Sequence, residues 1–100
     1  MIKRIVTVKP RGGKLVEARQ WAQEILEFAR KKYPKNSPEV YFEKYGDVNR
    51  MYWMGQYESI DELEKVAAEN QSDNKFLEIY MKGIELFVDG SNKVILLASL

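Results

Sequence analysis

The chain has 100 residues, of which 45% are hydrophobic and 31% charged, and its 16 basic and 15 acidic side chains leave a net charge of +1. This size suits one compact domain, so we expect a single domain over residues 1–100. A nearly neutral chain lacks the positive field that binds polyanions, which argues against nucleic acid or an anionic membrane surface as the main partner.

The residue types that the chain lacks narrow its chemistry further. It contains no cysteine and no histidine. Disulfides, thiolate metal sites, a cysteine nucleophile, the usual general base and the usual haem ligand are therefore excluded. The acidic residues have no clustered spacing for calcium or magnesium, so we predict no metal and no cofactor. With no apolar run long enough for a bilayer and no signal-peptide core, we expect a soluble, cytoplasmic protein.

The first third of the chain has the pattern of a strand followed by a helix. The segment "IKRIVTVK" is rich in β-branched residues and ends at Pro10, and "RGG" then breaks the pattern. From Lys14 to Tyr33 apolar side chains recur at spacings of three and four, which predicts an amphipathic helix. A basic cluster before Pro34 favours a helix end there.

The rest of the chain predicts a hairpin, a helical region and a last strand. The segments "EVYFEKYG" and "RMYWMGQY" are β-like and are separated by "DVN", a length typical of a hairpin. "SIDE" at Ser59 to Glu62 fits a capping box. The helical spacing that follows is interrupted at "NQSDN", so we expect a broken or paired helix that ends at Asp89 and Gly90. "KVILLASL" predicts the last strand.

The order βαββαβ predicts an α+β, ferredoxin-like fold, in which a four-stranded antiparallel sheet carries its helices on one face. A hairpin turning at Asp47 and Val48 would place Phe42 opposite Trp53 on the helix side. The other face, called here the bare face, would carry large polar and apolar side chains: Tyr41, Glu43, Tyr45, Arg50, Tyr52, Met54 and Gln56. Monomers usually avoid exposing such a surface, so we predict a symmetric homodimer whose two sheets face each other.

Residues that lie on the predicted bare face also suggest a ligand site. We expect Tyr41, Arg50, Tyr52 and Gln56 to line it, with Glu43 as the candidate catalytic base, because a carboxylate in a partly closed cavity can have a raised pKa. The alternative is structural, since Glu43 and Arg50 are diagonal cross-strand neighbours in this register, where a simple ion pair would explain both, and tyrosine is common at dimer interfaces.

Two further features are interpreted as structural. Trp21 and Trp53 fall on the predicted core-facing sides of their elements, which favours packing over an aromatic binding site. The glycines of "KPRGGK" lack the spacing of a P-loop or a dinucleotide fingerprint, so we expect a strand-to-helix turn.

Three segments give the chain a family resemblance. "VTVKPRGGKLVEARQW", "YWMGQYESIDELEKV" and "SDNKF" resemble the dimeric α/β-barrel proteins, and within them the NIPSNAP-like and antibiotic-biosynthesis-monooxygenase-like families. Phe76 stands where tryptophan is more usual in those families. The resemblance covers most of the chain and implies a dimeric α/β barrel. It also implies functions that include monooxygenases, isomerases, haem-degrading enzymes and proteins without assigned activity, and the haem-degrading branch depends on a histidine that this chain lacks.

Two classes of function therefore stay open. In the first, the protein is a homodimer that binds a small molecule or acts through interaction, with its pocket on the bare face and no catalysis. In the second, it is a cofactor-independent monooxygenase or isomerase that acts on a small aromatic or polyketide-like substrate. The sequence does not decide whether the protein is an enzyme, because one fold hosts many functions.

Overall fold

The computed structural model describes all residues from Met1 to Leu100. It confirms the order βαββαβ, with the second helical region divided in two. The strands are β1 (Ile2–Val8), β2 (Glu39–Phe42), β3 (Met51–Tyr57) and β4 (Lys93–Ala98), and the helices are α1 (Leu15–Lys32), α2 (Ile60–Gln71) and α3 (Asn74–Gly83). Short 3-10 helices cover Pro34–Asn36 and Ile84–Leu86.

The four strands form one antiparallel sheet in the order β2-β3-β1-β4, so β1 and β3 are the central strands. In β1, Arg4 lies between Gly55 of β3 and Leu96 of β4. Because paired residues share a face, the register gives each face of the sheet a fixed set of side chains. Even-numbered residues of β1 and odd-numbered residues of β3 face the helices.

The predicted register of the hairpin was wrong by two residues. Phe42 pairs with Met51, and Val40 pairs with Trp53. The loop is longer than expected because the Glu43 carboxylate accepts a hydrogen bond from the Asp47 amide at 2.6 Å and holds a wide turn. A shift of two residues leaves each side chain on its predicted face.

One residue of this hairpin does not lie where the sequence predicted. Strand β2 ends at Phe42, so Tyr45 lies in the loop and its side chain is 80% exposed. It is therefore not part of the bare face.

Both helices of the second half begin with side-chain caps. The Ser59 hydroxyl accepts from the Glu62 amide at 3.2 Å, which confirms the predicted cap, and the Glu62 carboxylate accepts from the Glu58 amide at 2.7 Å. Asp73 caps α3 by accepting from the amides of Lys75 and Phe76. The interruption at "NQSDN" is thus a second helix start.

The helical region ends earlier than predicted. After Leu86 the chain becomes extended at Phe87, which forms an isolated antiparallel bridge with Pro10. The Val88 amide also donates to the Lys9 carbonyl at 2.8 Å. Because these residues pair with the segment that follows β1, the helix cannot continue to Asp89. Gly90 does not cap a helix but adopts a left-handed conformation (φ 75°) in the turn before β4.

The core lies between the sheet and the helices. Its buried cluster takes residues from α1, β3 and α3, and half-buried side chains of β1 and β2 pack against it. The buried members are Trp21, Ala22, Ile25, Met51 and Ile79. The stripe of α1 therefore packs as its spacing predicted, and Trp21 lies in the core.

No element of the chain covers the other face of the sheet. Its side chains include Ile5, Met54, Ile95 and Leu97, and Leu97 is 50% exposed. None of the helices is both long enough and apolar enough to cross a membrane.

Candidate functional site

A cavity of about 500 Å³ lies between the helix-facing side of the sheet and the three helices. We call it the helix-side cavity. Two-thirds of its lining residues are hydrophobic, which is typical of small-molecule sites. The sheet contributes Arg4, Val6, Trp53, Gly55 and Tyr57, and the helices contribute Trp21, Ile25, Phe28, Val66, Asn70, Phe76 and Tyr80.

One wall of the helix-side cavity is aromatic. The rings of Trp21 and Trp53 meet edge to face with centroids 5.5 Å apart, and Phe87 meets Trp21 at 5.3 Å. Phe76 lies 6.0 Å from Phe28 in a tilted arrangement. Such edge-to-face pairs are favourable and fix ring orientation, so this wall is a rigid surface against which a flat ligand can pack.

Arg4 brings a charge into this apolar space. It lies in the middle of central strand β1 on the helix-facing side, is half-buried, and lines the cavity. Its guanidinium takes part in none of the ion pairs of the structure. The other charged residue of the lining, Asp89, pairs with Arg11 at 3.3 Å and is 93% exposed. Arg4 is thus an unpaired cation over the sheet.

Tyr57 lies next to Arg4 because a glycine makes room for its ring. A side chain at Gly55 would meet the Tyr57 hydroxyl at 3.1 Å, so the ring folds back along β3 above Gly55. Gly55 is the register partner of Arg4. Burial raises the pKa of Tyr57, while the nearby Arg4 charge lowers it and Glu62 raises it. The hydroxyl is therefore protonated at neutral pH and available as a donor.

Two asparagines of the lining have side-chain oxygens without a partner. Asn36 is 4% exposed, and its amide nitrogen donates to the Gln56 carbonyl at 2.8 Å and to Glu62 at 3.2 Å. Its Oδ1 atom and that of Asn70 are buried without any hydrogen bond. A buried acceptor without a partner costs free energy, so these atoms favour a ligand that can donate.

The five residues predicted as a site lie together on the bare face and none of them lines the helix-side cavity. The Tyr52 hydroxyl donates to the Glu43 carboxylate, and this bond raises the pKa of Tyr52. Glu43 and Arg50 are direct cross-strand neighbours, since the Glu43 amide donates to the Arg50 carbonyl at 2.8 Å.

The side chains of this predicted set are partly engaged elsewhere. Arg50 binds Asp47 at 2.8 Å and Thr7 at 3.0 Å instead of the Glu43 carboxylate. Tyr41 donates to Glu39. Whether the set lines a pocket depends on what covers the bare face, so its role stays a prediction.

From the sequence, Trp21 and Trp53 were interpreted as packing residues, and no residue of the helix-side cavity was predicted to bind a ligand, although Arg4 gave one signal. The alternation of β1 places Arg4 in the series Ile2, Val6 and Val8, so a charge was predictable on the helix-facing side of a strand. The sequence around Asn36 and Tyr57 has no comparable pattern, because these residues come close to Arg4 only through tertiary packing.

Solved structures share this fold over their full length. A NIPSNAP family protein from Agrobacterium tumefaciens strain C58 superposes with a TM-score of 0.81 at 18% identity, over 99% of this chain and 92% of that chain. An uncharacterized NIPSNAP domain protein from Burkholderia xenovorans superposes with a TM-score of 0.81 at 12% identity, over 100% of this chain and 95% of that chain. A protein described as an antibiotic biosynthesis monooxygenase superposes with a TM-score of 0.76 at 11% identity, over 100% of this chain and 99% of that chain.

These similarities establish the fold. The chain is a ferredoxin-like α+β protein with the architecture of the NIPSNAP and antibiotic-biosynthesis-monooxygenase-like proteins, as its sequence resemblance implied. No protein-family model matches the sequence, and no curated protein matches it significantly. The function therefore has to be inferred from the site.

Proposed function

We propose that the protein binds a small, partly aromatic molecule in the helix-side cavity. The observation that carries the proposal is the cavity itself, about 500 Å³ of mostly apolar space with Arg4 and the Oδ1 atom of Asn36 left without partners. A concave apolar site with a few convergent polar groups is the usual form of a ligand site.

The binding unit in this proposal is a homodimer. The bare face carries Ile5, Met54, Ile95 and Leu97 without cover from the chain itself, and a second copy would cover it by symmetry. The predicted set of Tyr41, Glu43, Arg50, Tyr52 and Gln56 would then lie at or near the interface. The proposal also includes a second pocket at this interface and a cytoplasmic location.

The alternative function is cofactor-independent catalysis, as a monooxygenase or isomerase acting on a small aromatic or polyketide-like substrate. It is favoured by the fold shared with a protein described as an antibiotic biosynthesis monooxygenase. On this alternative, the donors of Arg4 and Tyr57 would stabilise negative charge on a bound substrate, and Glu43 would need a covered bare face to act as base.

Tryptophan fluorescence tests the proposed function, because the two tryptophans of the chain both line the cavity. We expect naphthalene-sized aromatic compounds to change this emission saturably. Ala29→Phe, which fills part of the cavity, should weaken binding at least tenfold. Ala67→Phe is the matched control on an exposed site of α2 outside the lining.

A crystal structure with a bound compound would then locate the site. Equal binding by both variants, or a compound found away from the cavity, would contradict the proposal. Turnover of a bound compound in oxygenated buffer would favour the catalytic alternative.

A further inference from the structure

We infer that the ligand of the helix-side cavity is an acid, whose anionic group binds Arg4 and Tyr57 and whose aromatic body packs against Trp21 and Trp53. This inference rests on the proposed function, since it names the class of ligand for the same cavity. It concerns residues outside the set that the sequence suggested.

The first support is the missing counter-ion of Arg4. A half-buried cation loses part of its hydration, and a partner of opposite charge compensates this loss most strongly. The acidic side chains around the cavity are already engaged. Asp89 pairs with Arg11 and points to solvent, and Glu62 binds Lys35 at 3.1 Å. An anionic ligand would supply the charge that the chain does not.

Glu62 is engaged more fully than this single ion pair shows. Its carboxylate also accepts from the Asn36 amide nitrogen and from the Glu58 backbone amide. These bonds lower the pKa of Glu62, the Glu58 amide most strongly. The Glu62 oxygens thus bind groups of α2's N-terminus and of the 3-10 helix before β2. They do not form an ion pair with Arg4.

The second support is the donor that accompanies Arg4. The Tyr57 ring is held above Gly55, the residue paired with Arg4, so the hydroxyl and the guanidinium share one end of the cavity. Both groups donate and neither has a partner. A planar guanidinium beside a hydroxyl suits an acceptor with two or more oxygens, and a carboxylate is the simplest such group.

The third support comes from Asn36, which adds an acceptor near the same end. Its amide nitrogen is fixed on the carbonyl of Gln56, the residue between Gly55 and Tyr57, so the unpartnered Oδ1 atom has a fixed position. A ligand hydroxyl or N–H would satisfy this oxygen. The ligand class is therefore an aromatic acid that also carries a hydrogen-bond donor.

A pair of probes that differ only in charge tests the inference. 2-Naphthoate and 2-naphthamide have the same ring and nearly the same shape, and their binding is measured by the quenching of Trp21 and Trp53 and by calorimetry. We expect the wild-type protein to bind the acid at least tenfold more tightly. Arg4→Met removes the charge and keeps the length, and it should reduce this preference to about one.

Two more variants complete the design. Tyr57→Phe should weaken binding of the acid severalfold with less effect on the amide. Lys31→Met changes the net charge equally at an exposed site without ion pairs, and it should keep the full preference. Circular dichroism and thermal unfolding check that each variant is folded. If Arg4→Met does not fold, Arg4→Lys replaces it, and this variant should keep part of the preference.

The outcomes separate the inference from the proposed function. Equal affinity of the wild-type protein for both probes, or a preference that survives Arg4→Met, would overturn the acid inference while leaving a binding cavity. Binding of neither probe would contradict the proposed function and the inference with it. A 3-hydroxy-2-naphthoate that binds more tightly than 2-naphthoate, with the gain lost in Asn36→Leu, would support the role of Asn36.

Discussion

The indole Nε1–H of Trp21 donates to the carbonyl oxygen of Ile79 at 2.8 Å, which joins the buried faces of α1 and α3. The ring of Trp21 occupies the space that a side chain at Gly83 would need, one helical turn after Ile79. Phe87 and Trp53 pack against the same ring. The indole is thus held on several sides, and the position of α3 over the sheet depends on it.

This contact predicts that Gly83→Ala destabilises the protein. Alanine favours a helical backbone by about 1 kcal/mol over glycine, and Gly83 already has helical dihedral angles. Its methyl group would nevertheless overlap the fixed indole, and overpacking of this kind costs about 1–3 kcal/mol. Because the methyl group would lie far inside van der Waals contact with the Trp21 ring, the cost falls in the upper part of this range, and we expect a net loss of about 1–2 kcal/mol in the free energy of unfolding, measured by urea denaturation.

Gly12→Ala is the matched control for this prediction. A side chain at Gly12 meets nothing within 4 Å, and its φ is not positive. The substitution should be neutral or slightly stabilising. A Gly83→Ala variant as stable as Gly12→Ala would show that the indole can move, and the aromatic wall would then not be rigid.

The second prediction concerns Trp53, the central aromatic residue of β3. Trp53→Ala removes the edge-to-face contact with Trp21 and enlarges a cavity that is already present. We expect a loss of about 3 kcal/mol in the free energy of unfolding, at the low end for a large aromatic residue because Trp53 is only half-buried. Thermal and urea denaturation would measure it, and a near-neutral effect would contradict the packing assigned to Trp53.

The architecture was predictable because the hydrophobic periods change along the chain as the elements do. The spacing of α1 and the alternation of β1 and β3 placed Trp21 and Trp53 on facing sides, as the structure confirms. The two-residue error in the register of the hairpin came from the hydrogen bond between Glu43 and Asp47 in the loop. The hydrophobic pattern of the strands contains no information about such a bond. The error left the faces unchanged, since side chains alternate with a period of two.

The site was harder to predict because its parts come from distant segments. Tyr57 reaches Arg4 only through the absence of a side chain at Gly55, and Asn36 reaches β3 from the short 3-10 helix before β2. The sequence instead predicted a site on the bare face, where Tyr41 and Tyr52 lie on neighbouring strands close to Glu43. The lone charge of Arg4 on an apolar strand face was the weaker signal.

The third prediction is a loss of stability in acid. Hydrogen bonds from Lys32 and from backbone amides hold the pKa of Asp73 below its usual value, and similar bonds from Lys9 and Arg50 do so for Asp47. A carboxylate with a lowered pKa in the folded state stabilises the protein above its unfolded pKa of about 4, and this contribution is lost as the pH falls through the folded value.

We therefore expect the free energy of unfolding to be nearly flat from pH 5 to 7 and to fall below about pH 4. Asp73→Asn removes one of these groups, so its difference from the wild-type protein should shrink as the pH decreases from 5 to 3. Urea denaturation at a series of pH values measures both curves. A difference that stays constant over this range would contradict the assigned role of Asp73.

The last prediction is that the bare face forms a dimer interface that stabilises the fold. Leu97 lies on this face opposite Lys3 and is 50% exposed in the single chain. We expect sedimentation at low micromolar concentration to give twice the chain mass of 11.7 kDa, and the melting temperature to rise with protein concentration. Leu97→Glu should shift the protein toward monomer and lower its melting temperature, because it places a charge in an apolar contact.

Leu77→Glu is the matched control, since it makes the same change at an exposed position of α3 and should leave the dimer intact. A well-folded wild-type monomer at these concentrations would contradict the prediction, and an unchanged dimer in Leu97→Glu would place the interface elsewhere.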